Sequence, residues 1–199
     1  LKWPARSVRL EAIVRFPWSG GHHPCLDALV ETEDALIGVE SKRYEPFRSK
    51  KEANFSEAYW RPVWGEDMRR YEDLRDRLRA RDVAFSMLDA AQLIKHAFGL
   101  RTAVHRDDKR GKRPVLFYLY AEPARWPDEQ PIDATQHASH RAEIEHFASL
   151  VEGDEVSFRF ASYRELLSTW ARNEAEHVRN HATAVAERFQ ILEGETRSE

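Results

Sequence analysis

Asp27, Glu40 and Lys42 are the residues of this chain whose types and spacing can do chemistry together. Residues 35–42, ALIGVESK, read as a strand that is apolar for most of its length and ends on a carboxylate and an ammonium. Side chains alternate along a strand, so Glu40 and Lys42 share a face with Leu36 and Gly38. Residues 25–31, CLDALVE, read as the strand before it, with only Thr32-Glu33-Asp34 between them. In a hairpin symmetric about the Glu33–Asp34 bond, paired residue numbers sum to 67, because 33 + 34 = 67, and Asp27 falls opposite Glu40. Directly opposed residues have Cβ atoms about 4.5–5.5 Å apart. Two carboxylates that close repel unless a cation lies between them. A divalent metal removes the penalty, and Mg²⁺ takes one or two carboxylates and fills its shell with water and phosphate oxygens. Lys42 faces the same spot, where it can orient or polarise an attacking water. A slip of one residue in the pairing would send Asp27 to the other face. The plain alternative is a surface charge ladder, against which stand the apolar residues flanking the charges on both faces.

Those residues need elements to hold them. Residues 8–16, VRLEAIVRF, predict a first strand with Val8, Leu10, Ala12, Val14 and Phe16 on one buried side, ended by Pro17 and Gly20-Gly21. With the next two strands it makes an antiparallel meander, although Glu33-Asp34 is not the favoured Asn-Gly turn. After an irregular aromatic-rich stretch, Met68, Tyr71, Leu74 and Leu78 recur at helical spacing. Asp89 caps a second helix, AAQLIKHAF, with Gly99 as its stop or kink. DDKRGKR (107–113) is a charged loop leading into PVLFYLYAE, a strand apolar enough for the inside of a sheet. Asp133 and Gly153 bracket an amphipathic helix, and VSFRFAS (156–162) is the last strand. Ser162 and Glu165 form a capping box for one long C-terminal helix. The expected fold is α/β, a mixed α+β sheet with helices packed on it. No repeat or linker divides it, so residues 1–199 form one domain, its core at about 8–122 and a helix-strand-helix extension at about 133–190.

Asp27, followed thirteen residues later by Glu40-Ser41-Lys42 on an adjacent strand, resembles the motif of the PD-(D/E)XK nuclease superfamily. The likeness covers motif and strand order over about residues 8–122, and the run CLDALVETEDALIGVESKRYEPF is similar to small bacterial proteins of the restriction-endonuclease-like type. The resemblance implies a restriction-endonuclease-like core and metal-dependent hydrolysis of DNA phosphodiester bonds. It makes Asp27 and Glu40 metal ligands, the Ser41 carbonyl a third, and Lys42 the group that activates water or stabilises charge. Some members carry Gln-x-x-x-Tyr on a later helix; here Gln92 and His96 hold those positions and share a helix face. Gln92 is then catalytic and His96 a substrate contact. The implied cofactor is Mg²⁺, with Mn²⁺ as a substitute. The chain departs from the family in having Leu26 before Asp27, with the proline at Pro24, and in showing no acidic helix ahead of the first strand. Glu11 is the nearest carboxylate to that role. The first residue is Leu1 rather than Met, so a preceding segment is expected.

The segment 43–64 interleaves Arg43, Arg48, Lys50, Lys51 and Arg61 with six aromatics, a pattern that suits phosphates and splayed bases. The same pattern also suits a loop whose aromatics pack beneath the sheet. Lys109, Arg110, Lys112 and Arg113 read as a solvated turn, with a second phosphate contact as the alternative. His137, His140 and His146 read as solvated on a charged helix, and Cys25 as a buried thiol. His177 and His181 lack the glutamate of a His-Glu-x-x-His site.

Composition bounds the rest. The 199 residues are 42% hydrophobic and 33% charged, which excludes disordered and collagen-like chains. One cysteine forms no internal disulfide, and no apolar run reaches the ~20 residues of a membrane span, so a cytoplasmic protein is expected. With 31 basic and 34 acidic residues the net charge is −3, and a DNA surface must come from local clustering. DNA is the expected partner, a homo-oligomer is compatible, and the rival reading is an inactive nuclease-fold domain that binds nucleic acid or a protein.

Overall fold

The computed structural model describes residues 2–48, 54–106 and 109–189. Lys50 and Lys51, two of the expected phosphate contacts, lie outside the described residues. The sheet is built around the hairpin of β2 (Cys25–Glu31) and β3 (Ala35–Lys42), in which Ala28 pairs with Val39 and Glu31 with Leu36. This is the symmetric register. Neither Glu33 nor Asp34 takes the positive φ of an Asn-Gly tip. Side chains fix the turn instead: Thr32 Oγ1 accepts from the Ala35 N–H (3.0 Å), and Asp34 accepts from the Lys2 N–H (2.8 Å) and from Arg113 (2.6 Å). Lys112 Nζ donates to the carbonyls of Thr32 (2.6 Å) and Glu33 (3.0 Å). The basic turn at 109–113 is therefore a clamp on the hairpin tip rather than a solvated loop.

β1 (Ser7–Ile13) pairs antiparallel with β2, while β4 (Arg113–Tyr120) and β5 (Ser157–Ser162) add in parallel beyond β3, giving the order β1-β2-β3-β4-β5. The class is mixed α/β, as expected. β1 is shorter than its sequence pattern: Val14 to Phe16 leave the ladder, the Val14 N–H donating to the Pro24 carbonyl (3.0 Å) and the Phe16 N–H to His23 Nδ1 (3.1 Å). Its alternation also breaks. Ala12, Val14 and Phe16 are buried but Val8 and Leu10 are exposed, and between them Glu11 is left-handed at φ +48°. That single residue turns the strand over.

Three helices, α1 (Arg69–Ala80), α2 (Ala90–Val104) and α3 (Ala134–Val151), form one layer with α2 across β3 and β4 and α3 against β5. Asp89 caps α2 through the Gln92 N–H (2.9 Å). The helix runs on through Gly99, where a stop or kink was expected. A Cβ at Gly99 would lie 2.5 Å from Val14 Cγ2, so the glycine lets the chain after β1 reach the helix. The aromatics of 43–64 mostly face the core: Trp64 stacks on Phe98 (4.1 Å), Tyr59 packs edge-on to Phe16 (5.3 Å), and Phe47 lies against His137 and His140. Burying each such ring contributes about 1.5–3 kcal/mol. His140 is itself fully buried, 3.0 Å from the Tyr118 hydroxyl. It belongs with Ile144, Phe147 and Val151 on the inward stripe of α3, which overrides the polarity of its neighbours. His137 is half-buried on the same helix.

The capping box at Ser162 and Glu165 is present, but the long final helix is two: α4 (Tyr163–Trp170) and α5 (Glu176–Phe189). Asn173 Oδ1 accepts the Ala175 N–H (3.0 Å) and redirects the chain between them. Leu167, Ala182 and Ala186 make the small core these two helices share. No helix among the described residues is long and apolar enough to cross a membrane.

Candidate active site

The site forms where α2 lies against the end of β3. Leu36, Gly38, Glu40 and Lys42 alternate toward the helix. A Cβ at Gly38 would sit 2.8 Å from both Leu100 and Leu26, so the missing side chain lets Leu100 press onto the strand. Two residues along a strand cover about 6.6 Å and four along a helix about 6 Å, so the two elements stay in step. One step from Gly38 and Leu100 brings Glu40 to His96, whose Nδ1 is 3.2 Å from Glu40 Oε2. The strand and helix thus carry Glu40, Lys42 and His96 into one place; the Gln92 side chain, one turn earlier on α2, makes no hydrogen bond to them among the described residues.

Across the hairpin, beyond the last paired residues Ala28 and Val39, Asp27 accepts the Ser41 N–H at Oδ2 (2.6 Å). Glu40 is 1% exposed and paired through Oε1 with the Lys42 ammonium. Burial raises its pKa to about 7; Lys42 opposes that shift, and the charges of Asp27 and Asp89 add to it. His96, 2% exposed, is pushed down to about 3 by burial and then by the Lys42 and Lys95 charges, so it is neutral. Despite their closeness, Glu40 Oε2 and His96 Nδ1 make no hydrogen bond with each other or with any other group among the described residues. A buried carboxylate oxygen left without a partner costs free energy and marks a place where another ligand fits.

Among the described residues no group of three or more His, Cys, Asp or Glu side chains is placed to hold a metal. Asp27 and Glu40 are the carboxylates at the strand ends, with Asp89 acting on Glu40 from the α2 cap. Glu11, on the neighbouring strand, is exposed and accepts from the Cys25 thiol (3.7 Å). Cys25 is exposed rather than buried, because it opens β2 at the edge of the ladder; burial of its sulfur and the Glu11 charge raise its pKa, so it is no ready nucleophile.

The remaining expected contacts divide. His96 faces Glu40 inside the protein and not solvent. Arg43 lies over the rings of Tyr44 and Phe189, each 4.8 Å away. Arg48 and Arg61 are exposed, over Trp126 (6.0 Å) and Trp18 (5.0 Å). A residue the sequence did not single out, Tyr163, reaches Ser41 from α4, its hydroxyl 2.9 Å from Ser41 Oγ. Ser41 points away from Glu40 and Lys42, so only the strand alternation hinted that its side chain serves the other face. Comparison of the chain with family models, with curated proteins and with solved structures gives no match.

Proposed function

We propose that this protein is a metal-dependent nuclease that hydrolyses DNA phosphodiester bonds, the activity implied by the resemblance to the PD-(D/E)XK superfamily. The observation that carries the reading is Glu40: a carboxylate almost wholly buried, one oxygen unpartnered and the other on Lys42, with Asp27 across the hairpin. A purely structural role explains none of these features, since a buried charge is costly and perturbed carboxylates gather at functional sites.

The donor set fits Mg²⁺ or Mn²⁺. Asp27, Glu40 and the Ser41 carbonyl supply hard oxygen ligands and leave the remaining positions to water and substrate phosphate, whereas zinc sites want nitrogen and sulfur. When bound, such an ion supplies charge neutralisation at the phosphoryl oxygens and acidifies a coordinated water. The chain's own residues do the rest. Lys42 holds positive charge on the face where a phosphoryl oxygen gains negative charge. Gln92, one turn before His96 on α2, offers an amide to orient water or phosphate. Asp27 is kept in place by the Ser41 N–H, and neutral His96 walls off water behind Glu40. Arg43, Arg48 and Arg61 offer phosphate contacts outside the centre.

The second reading is a nuclease-like domain that binds nucleic acid or a protein without cutting. It is favoured by the Lys42–Glu40 pair, which occupies both groups, and by the lack, among the described residues, of three or more side chains placed to hold a metal. The deciding experiment is cleavage of supercoiled and linear plasmid by wild type and Lys42→Ala with Mg²⁺, Mn²⁺ or EDTA. Metal-dependent nicking that disappears in the variant is the expected result. No cleavage by folded protein with any metal would overturn it in favour of the binding domain.

A further inference from the structure

Behind the site, on the opposite face of β3, lies a cavity of about 230 Å³ at the carboxyl ends of the three parallel strands. Open α/β sheets take ligands at this end of their strands. Six of its lining residues set its chemistry: Ser41, Arg43, Tyr163, Arg164, Val185 and Phe189. Arg43 and Arg164 are half-buried, and neither has a carboxylate within ion-pair distance among the described residues. Glu122, the acid on the rim, is committed to Arg141. The cavity is therefore cationic in effect. Its other walls are an aromatic ring, an aliphatic side chain and the Ser41–Tyr163 hydroxyl pair, which can donate and accept. Its volume is below the ~300–1,000 Å³ of drug-sized sites, so it suits one ring system.

We propose that this cavity is a subsite for one nucleotide of a nucleic-acid strand, its base against Phe189 and Val185 and its phosphate between Arg43 and Arg164. The choice of a nucleotide over another aromatic anion rests on the nuclease reading. Ser41 lies between Glu40 and Lys42 in the chain, so the scissile phosphate and the held nucleotide sit on either side of one strand end. The strand being cut would cross the end of β3 with a neighbouring base drawn into the cavity, at the cost of unstacking it.

The test is an NMR titration of the full chain in EDTA with deoxynucleoside 5′-monophosphates, the corresponding deoxynucleosides, inorganic phosphate and a short single-stranded oligonucleotide. The expected result is saturable shifts at the Ser41 and Tyr163 amides from monophosphates and oligonucleotide. Binding should be at least tenfold weaker for the nucleosides and for phosphate, and at least tenfold weaker in Arg164→Glu. Val185→Trp, which fills the cavity, should abolish it; Arg164→Glu alters only a half-exposed side chain and guards against misfolding. Absence of saturation, equal binding of inorganic phosphate, or indifference to Arg164→Glu each overturns the subsite. Because no metal or turnover is involved, monophosphate binding without plasmid cleavage would keep the subsite and remove the nuclease reading. Cleavage without monophosphate binding would do the reverse.

Discussion

At the hairpin tip, Glu31, Glu33 and Asp34 meet Lys2, Lys109, Lys112 and Arg113; at the far end of β3, Glu40 meets Lys42 and His96. The residue types are nearly the same and the consequences are opposite. At the tip the carboxylates accept several donors near water, and Glu31, Glu33 and Asp34 all shift down, held by hydrogen bonds from Lys109, from Lys2 and from the Lys2 backbone. At the far end burial dominates and Glu40 shifts up to about 7. Satisfied charges near solvent staple a turn; an incompletely satisfied charge away from solvent is poised to exchange a proton or accept a ligand.

The largest expected effect separates the two ends by activity. Lys42→Ala should lower plasmid cleavage by at least about 100-fold, the scale of losing one charge-stabilising group. Asp34→Asn should leave cleavage within about twofold, and an equal loss in both would collapse the distinction.

Next comes pH. Folding favours protonated Glu40, so its contribution is full below the ordinary 4.5 and lost as pH rises to about 7. Folding favours neutral His96, so its contribution is full above 6.5 and lost as pH falls to about 3. Between 4.5 and 6.5 the two slopes oppose and largely cancel, leaving a plateau that falls away on the alkaline side through Glu40 alone. Urea titrations should therefore show Glu40→Gln gaining on wild type by about 3 kcal/mol from about pH 4 to about pH 8. A constant difference between the two proteins would mean that Glu40 is no more buried, in effect, than the tip carboxylates.

Smaller effects probe packing against clamping. Gly99→Ala gains up to about 1 kcal/mol of helix propensity but must push Val14 aside, so a net loss of about 1–2 kcal/mol is expected in the same titrations. Lys112→Ala removes two donors from the tip carbonyls and should cost about 1 kcal/mol, with cleavage unchanged.

Much of this was legible in the chain. The β2–β3 register from Glu31–Leu36 to Ala28–Val39 followed from a two-residue tip; beyond it Asp27 meets the Ser41 N–H rather than pairing with Glu40. Asp89 and Ser162 marked helix starts because capping is local chemistry. Other features depend on contacts distant in sequence. Gly99 read as a helix stop until α2 was seen pressed against the strands, and the approach of His96 to Glu40 follows from that contact. The burial of His140 did leave a signal, its spacing from Ile144, Phe147 and Val151, which the surrounding charges obscured. The division of the last helix hung on Asn173, a residue as common inside helices' ends as between them.

β1 is one of the two outer strands of the sheet, and it exposes Val8, Leu10 and Ile13 along a flank where a foreign strand could add. Glu11 interrupts that flank. With its backbone left-handed, it turns its own peptide groups out of the ladder, and the pairing with β2 passes from Leu10 to Ala12 without it. An incoming chain would find only short, misaligned runs of free N–H and C=O groups on either side of a carboxylate. The left-handed turn at this one residue thus makes the greasy margin a poorer template for an added strand than a regular edge would be.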